Sequence, residues 1–203
     1  ILYSINSFLI VMYLRFTMKN TVGLYEMGVF ALSQQIGMIM ENTEQIVAKV
    51  WTPFAFDILS QNKVRYFFKM CLVPMCVLMA LFLMLTLVND IMYRYFISQN
   101  YQVGYWCSVT ILLAYLLKSF YAIFAVYTYY FEKILYVAII NLMIGISSLF
   151  FSKWLMHGFG ILGGAFSMLI AYTLLFISVS SLVIYFGNKK ESEDDMFALQ
   201  REG

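Results

Sequence analysis

Three long stretches of this chain carry no charged residue at all: Met70–Asn89, Ile134–Ser152 and Trp154–Asn188. Each reaches or exceeds the roughly 18 consecutive apolar residues that mark a membrane-crossing helix. A water-soluble fold cannot hide that much surface. Hydrophobic residues make up 63% of the 203 and charged residues 12%, whereas a soluble domain has about 45–50% and 25%. The reading is therefore an all-α, polytopic transmembrane helix bundle.

With charges, Gly, Pro and Asn as punctuation, six spans follow at about 1–18, 23–52, 68–89, 103–131, 134–154 and 160–186. Residues 1–187 are read as one six-span transmembrane unit, and residues 188–203 as a charged tail expected to be disordered. Ile1–Leu14 is too short to cross unless it continues through Arg15 to Met18, which reads as a fragment beginning inside a helix. No signal peptide is legible at the front. Between Asp57 and Lys69 charge alternates with aromatics, which suits a surface connector or an interfacial helix.

Lys49, Lys63, Arg65, Lys69, Lys133, Lys189, Lys190 and Arg201 fall on one side of these spans, and Arg15, Lys19, Arg94 and Lys153 on the other. Positive residues favour the cytoplasmic side. The tail is thus expected to be cytoplasmic.

The second span breaks the apolar pattern. At about 100° per residue, Gln34, Glu41, Gln45 and Thr52 fall in one stripe with Lys49 at its edge, while Ile36, Ile39, Met40, Ile46, Val47 and Val50 take the opposite side. A charge in mid-membrane costs about 2.5–3.5 kcal/mol by insertion scales, so it faces a cavity or a partner. Glu44 flanks the stripe, and Lys118 in the fourth span is the obvious cation, with Tyr115 on its helical face. Three readings stay open: a Glu41 or Glu44 bridge to Lys118 between helices, a cavity handling a polar substrate or coupling ion, and a long helix whose Lys49 and Trp51 mark an interfacial end.

Gly160-x-x-x-Gly164, continued by Ser167 and Ala171, offers a small-residue face for close helix packing. Gly158 and Gly160 suit the tight turn before it. Pro53 marks a helix boundary and Pro74 a kink. Cys71, Cys76 and Cys107 lack metal or redox spacing, and His157 is the single histidine. The cysteines are expected to pack as small hydrophobes. Aromatics gathered near span ends, such as Tyr93–Phe96 and Tyr127–Phe131, suit an interfacial belt better than sugar stacking. No phosphate loop, nucleophile motif or ligand set is present. Neither an enzyme nor a nucleic-acid binder is expected.

Four blocks carry a family likeness: VGLYEMGVF (22–30) with its Val-Gly-x-Tyr opening of a helix, KVWTPFAF (49–56) with Trp-x-Pro-Phe, HGFGILGGAFSMLIAYTLLF (157–176) with Phe-Gly-Ile-x-Gly-Ala, and the looser KSFYAIFAVYTYYFEK (118–133). In this order the chain resembles the C-terminal half of polysaccharide biosynthesis proteins. These are O-antigen and related lipid-linked oligosaccharide flippases, in the exporter superfamily that also holds multidrug and toxic compound extrusion transporters.

The resemblance implies a twelve-helix transporter of two lobes around a central cavity, working by alternating access in a bacterial inner membrane. This chain would be the second lobe, partnered by the missing N-terminal lobe and the bilayer. An undecaprenyl-pyrophosphate-linked glycan would be the substrate, with Lys118 contacting its anionic head and Gln34, Gln45 and Tyr115 lining the cavity. Glu41 and Glu44 would be candidates for H⁺ or Na⁺ coupling; no other cofactor or metal is implied. Many such proteins place an acid beside the arginine of this lobe's first span, whereas Arg15 has none before Glu26. The alternatives are cation-coupled multidrug extrusion and a non-transporting membrane scaffold.

Overall fold

A computed structural model describes residues 12–13, 15–61 and 63–202, with side-chain surroundings through residue 187. Most of the expected first span, and the side chains of the tail, lie outside the described residues. Helix α1 is described over 15–21. It is followed by α2 (Leu24–Ser60), α3 (Val64–Tyr95), a short 3₁₀ turn at Gln99–Tyr101, α4 (Gly104–Tyr130), α5 (Ile134–Phe159) and α6 (Ile161–Glu202). The described residues form an all-helical fold.

Among the described residues four helices are long and apolar enough to cross a membrane: Val64–Tyr95, Gly104–Tyr130, Ile134–Phe159 and the Ile161–Gly187 part of α6. Their outward surfaces support the same conclusion. Helix α3 exposes Leu72, Val73, Leu83, Met84 and Leu87, and α5 exposes Leu135, Leu142, Met143 and Phe150. Apolar faces of this extent are not left in water by a soluble monomer. This is the pattern of a membrane protein.

Helix α4 is the axis of the bundle. Of its most apolar stretch 67% is buried, against 22% in α3 and in α5. It packs chiefly on α6 and α2, then on α3, whereas α5 joins the bundle mainly through α6. Small residues set the close approaches. A side chain at Gly37 would meet Ile111 and the Tyr115 ring of α4 at 2.7 and 2.8 Å. One at Gly163 would run into the Leu155 carbonyl of α5. Gly160, at φ +55°, makes the turn between α5 and α6, a conformation that suits glycine.

Several boundaries differ from expectation. Pro53 lies inside α2, which continues to Ser60, and α3 starts at Val64, so no separate interfacial helix stands between them. A proline within a helix removes one backbone donor, and packed neighbours tolerate this: Trp51 and Ala55 beside it are buried. Gly158 remains in α5, leaving the turn to Gly160. The α6 backbone continues to Glu202, across the segment where a disordered tail is expected. Lys, Glu, Met, Ala, Leu, Gln and Arg dominate that segment, and all are good helix formers. Tyr93 and Tyr127 are 3% and 2% exposed and so do not belong to an interfacial belt. Tyr127 packs on Phe67, Phe68 and Phe131, joining α3 to the end of α4.

Candidate functional site

The α2–α4 seam positions the charged residues. At one end the single Ser33 Oγ proton is shared between the Val29 and Gly104 carbonyls, at 3.0 and 3.1 Å, and Oγ lies 3.2 Å from the Tyr93 hydroxyl. At the other, Trp51 Nε1 donates to the Ile123 carbonyl at 3.4 Å. Between these pins Gly37 lets the backbone of α2 close on Tyr115. One helical turn further along, Glu41 meets Lys118.

Lys118 is 2% exposed and forms an ion pair with Glu41, whose side chain is 21% exposed. Its ammonium also stands 5.4 Å from the centre of the Tyr115 ring and 5.8 Å from that of Tyr172 on α6. Aromatic faces attract cations. The two rings are 6.1 Å apart and tilted. Taking a cation out of water is costly, so the anion and both ring faces are what make this burial tolerable. The Tyr172 hydroxyl itself is buried without a hydrogen-bond partner.

Glu44, at 8% exposure, sits within electrostatic range of both Lys118 and Glu41. The structure thus brings Glu41, Glu44, Lys118 and Tyr115 together, as the sequence suggests. Gln34 remains at the edge of that cluster, in side-chain hydrogen-bond contact with Tyr115, whereas Gln45 lies apart from it. Gln34 is 1% exposed, and its Oε1 accepts two bonds from Arg15 of α1, at 3.0 Å from Nε and 2.8 Å from Nη2. Gln45 is exposed.

The reason is a rotation of α2 relative to the expected stripe. Its buried face runs through Phe30, Ser33, Gly37, Met40, Glu44, Trp51 and Ala55. Gln34 and Glu41 lie at the margin of this face, while Gln35, Asn42, Gln45 and Lys49 lie outside it and are exposed. The side assigned to lipid divides as well: Met40 is fully buried, while Ile39, Ile46 and Val50 are 49%, 63% and 71% exposed. The missed signal was Ser33-x-x-x-Gly37, a small-residue pair of the kind that marks a close helix contact.

Two further polar links escaped the sequence reading. Ser108 donates to Asn89 Oδ1 at 2.7 Å between α4 and α3, and Asn141 of α5 donates to the Tyr121 hydroxyl of α4 at 2.8 Å. Both are buried and tie α4 to its neighbours. Of the cysteines, Cys71 and Cys107 are buried and Cys76 is exposed. No group of three or more His, Cys, Asp or Glu side chains suited to a metal occurs among the described residues. No family model, curated protein or solved structure matches the chain.

Proposed function

We propose that this chain forms one wall of a membrane transporter that passes lipid-linked oligosaccharides across a bacterial inner membrane. The observation that supports it is the exposed row Gln35, Asn42, Gln45 and Lys49 in the central turns of α2. The exposed faces of α3 and α5 are rich in apolar side chains such as Leu83, Met84, Leu142 and Met143. Amide and ammonium groups facing acyl chains would each cost several kcal/mol. A wet space beside α2 removes that cost.

Side-chain amides both donate and accept hydrogen bonds, which matches the hydroxyl groups of a glycan. With α1 and α2 counted as spans beside the four apolar helices, the chain is a six-span lobe. Its row then faces a second lobe across a central cavity, and the C-terminus is cytoplasmic. Glu41, half inside the seam and half at the row, is the candidate for H⁺ or Na⁺ coupling, with Glu44 behind it. Lys118 serves as the counter-ion of Glu41, because an ammonium this buried and paired is poorly placed to meet an anionic head.

Alanine at Asn42, Gln45 and Lys49 together, in the complete transporter, should abolish surface glycan with protein abundance unchanged and dye accumulation unaffected. Normal glycan with increased dye retention would instead support extrusion of amphipathic cations. The Glu41–Lys118 pair gives the scaffold reading its own footing, since it bridges two helices without needing a substrate. A charge-swapped Glu41→Lys, Lys118→Glu variant should lose export; full export would make the pair a structural bridge rather than a coupling site.

A further inference from the structure

We propose that Tyr129, its hydroxyl oriented by Tyr121 and Asn141, passes protons between water at the Lys133 end of the bundle and the Glu44 carboxylate. The route rests on the transport reading, in which the Glu41–Glu44 seam couples ion movement to export. Its own footing is the polarity of a hydrogen-bond chain.

Asn141 sets that polarity. Its Nδ2 donates to the Val137 carbonyl and to the Tyr121 hydroxyl oxygen, each at 2.8 Å. A backbone carbonyl can only accept, so the nitrogen of the amide, not its oxygen, faces this pair. The Tyr121 oxygen is thereby an acceptor toward α5, and its single proton is left for Tyr129, to which its side chain is hydrogen-bonded. Tyr129 accepts in turn, which turns its own proton away from Tyr121. The anion within electrostatic reach of Tyr129 is Glu44.

The chain also runs from the interior to the surface. Tyr121 is 1% exposed and Tyr129 is 40% exposed. Tyr129 is the last residue but one of α4, and Glu132 and Lys133 beyond it are exposed. A phenolic oxygen has two lone pairs, so Tyr129 can accept from water as well as from Tyr121. A hydronium at this end gives a proton to Oη while the hydroxyl's original proton leaves for Glu44, directly or across one water. Glu44 gains one proton, and a neutral tyrosine and a water molecule remain. The reverse sequence discharges it.

The surroundings give that proton its effect. Glu44 is faced by Glu41 on its own helix and by Lys118 and Tyr129 of α4, with Tyr115 and Tyr172 of α6 packed about the same ammonium. Arg65, Lys69, Asp90 and Arg94 of α3 lie within two turns of its ends, and α5 has no charge between Ile134 and Ser152. Arg15 of α1 is held at Gln34, about 15 Å away along α2 at the usual helical rise. Loading Glu44 therefore changes the charge opposite Lys118.

The chain in nanodiscs would be subjected to a rapid drop in pH, with protonation followed by the infrared carboxyl band that disappears in Glu44→Gln. In Tyr129→Phe that band should rise about a hundredfold more slowly, the lower end of what a positioned acid or base contributes, to the same final amplitude and with an unchanged melting temperature. Tyr121→Phe keeps the hydroxyl of Tyr129 but not its orientation, and should slow uptake less. Tyr129→His, which retains a donor and an acceptor, should recover part of the rate. Wild-type uptake in folded Tyr129→Phe, no recovery in Tyr129→His, or a wild-type protein without a Glu44 band would overturn the route. Export that survives alanine replacement of the α2 row, with uptake still dependent on Tyr129, would sink the transport reading alone. Lost export with Tyr129-independent uptake would sink this route alone.

Discussion

Among single residues, Glu41 and Lys118 have the clearest energetic asymmetry. Glu41→Gln takes the direct carboxylate partner from an ammonium that is 2% exposed, whereas Lys118→Met leaves a carboxylate with 21% of its side chain accessible. Breaking a buried pair from one side costs about 3–5 kcal/mol, and replacing both partners costs far less. We therefore expect thermal unfolding in detergent to rank Glu41→Gln as the more destabilised single variant. The double variant should recover most of the loss; equal melting of the two singles would contradict this geometry. The pairing was legible because charges are so scarce in the chain that few partners existed. Gln34 and Arg15 were not legible as a pair, because nothing in the spacing of a neutral amide points to a guanidinium on another helix.

For the helices as elements, the test is how each glycine meets its neighbour. Gly37→Ala pushes against Ile111 and the Tyr115 ring, and overpacking of this kind costs about 1–3 kcal/mol. Gly163→Ala should cost more than Gly164→Ala. The first meets the rigid Leu155 backbone, while the second meets the mobile end of Met18 at 2.5 Å. Gly28 has nothing within 4 Å, so Gly28→Ala should stabilise by up to about 1 kcal/mol through helix propensity. Melting temperatures of these variants check the series, and a Gly163→Ala protein as stable as Gly164→Ala would refute the close approach. Helix identity was readable from apolar runs, and α4 and α5 appear nearly where expected. The join of α2 to α3 was misread because proline and charge were weighed as stop signals. Burial of Trp51, Ala55, Ile58 and Leu59 overrides them.

On the scale of the whole molecule, the separation of wet and oily surfaces can be mapped by labelling. With the three native cysteines replaced, cysteine at Gln45 or Lys49 should react with a membrane-impermeant maleimide, and cysteine at Leu83 or Met143 should not. Equal protection at all four would place the α2 row in lipid and remove the ground for transport. That α2 carries polar side chains among apolar ones was visible in the composition of the second span. Its direction was not, since a helical wheel gives relative angles but no origin, and the origin was set by Ser33 and Gly37 against α4. The tight α5–α6 turn has a mechanical outcome of its own. Helix α5 is the outrigger of the bundle, touching it mainly through α6, so a change in bilayer thickness would tilt it first. With Gly163 locked on the Leu155 backbone, the tilt has no slack to dissipate in. It travels straight into the helix that holds Tyr172 over the buried ammonium, and acyl-chain length thereby becomes an input to the charged seam.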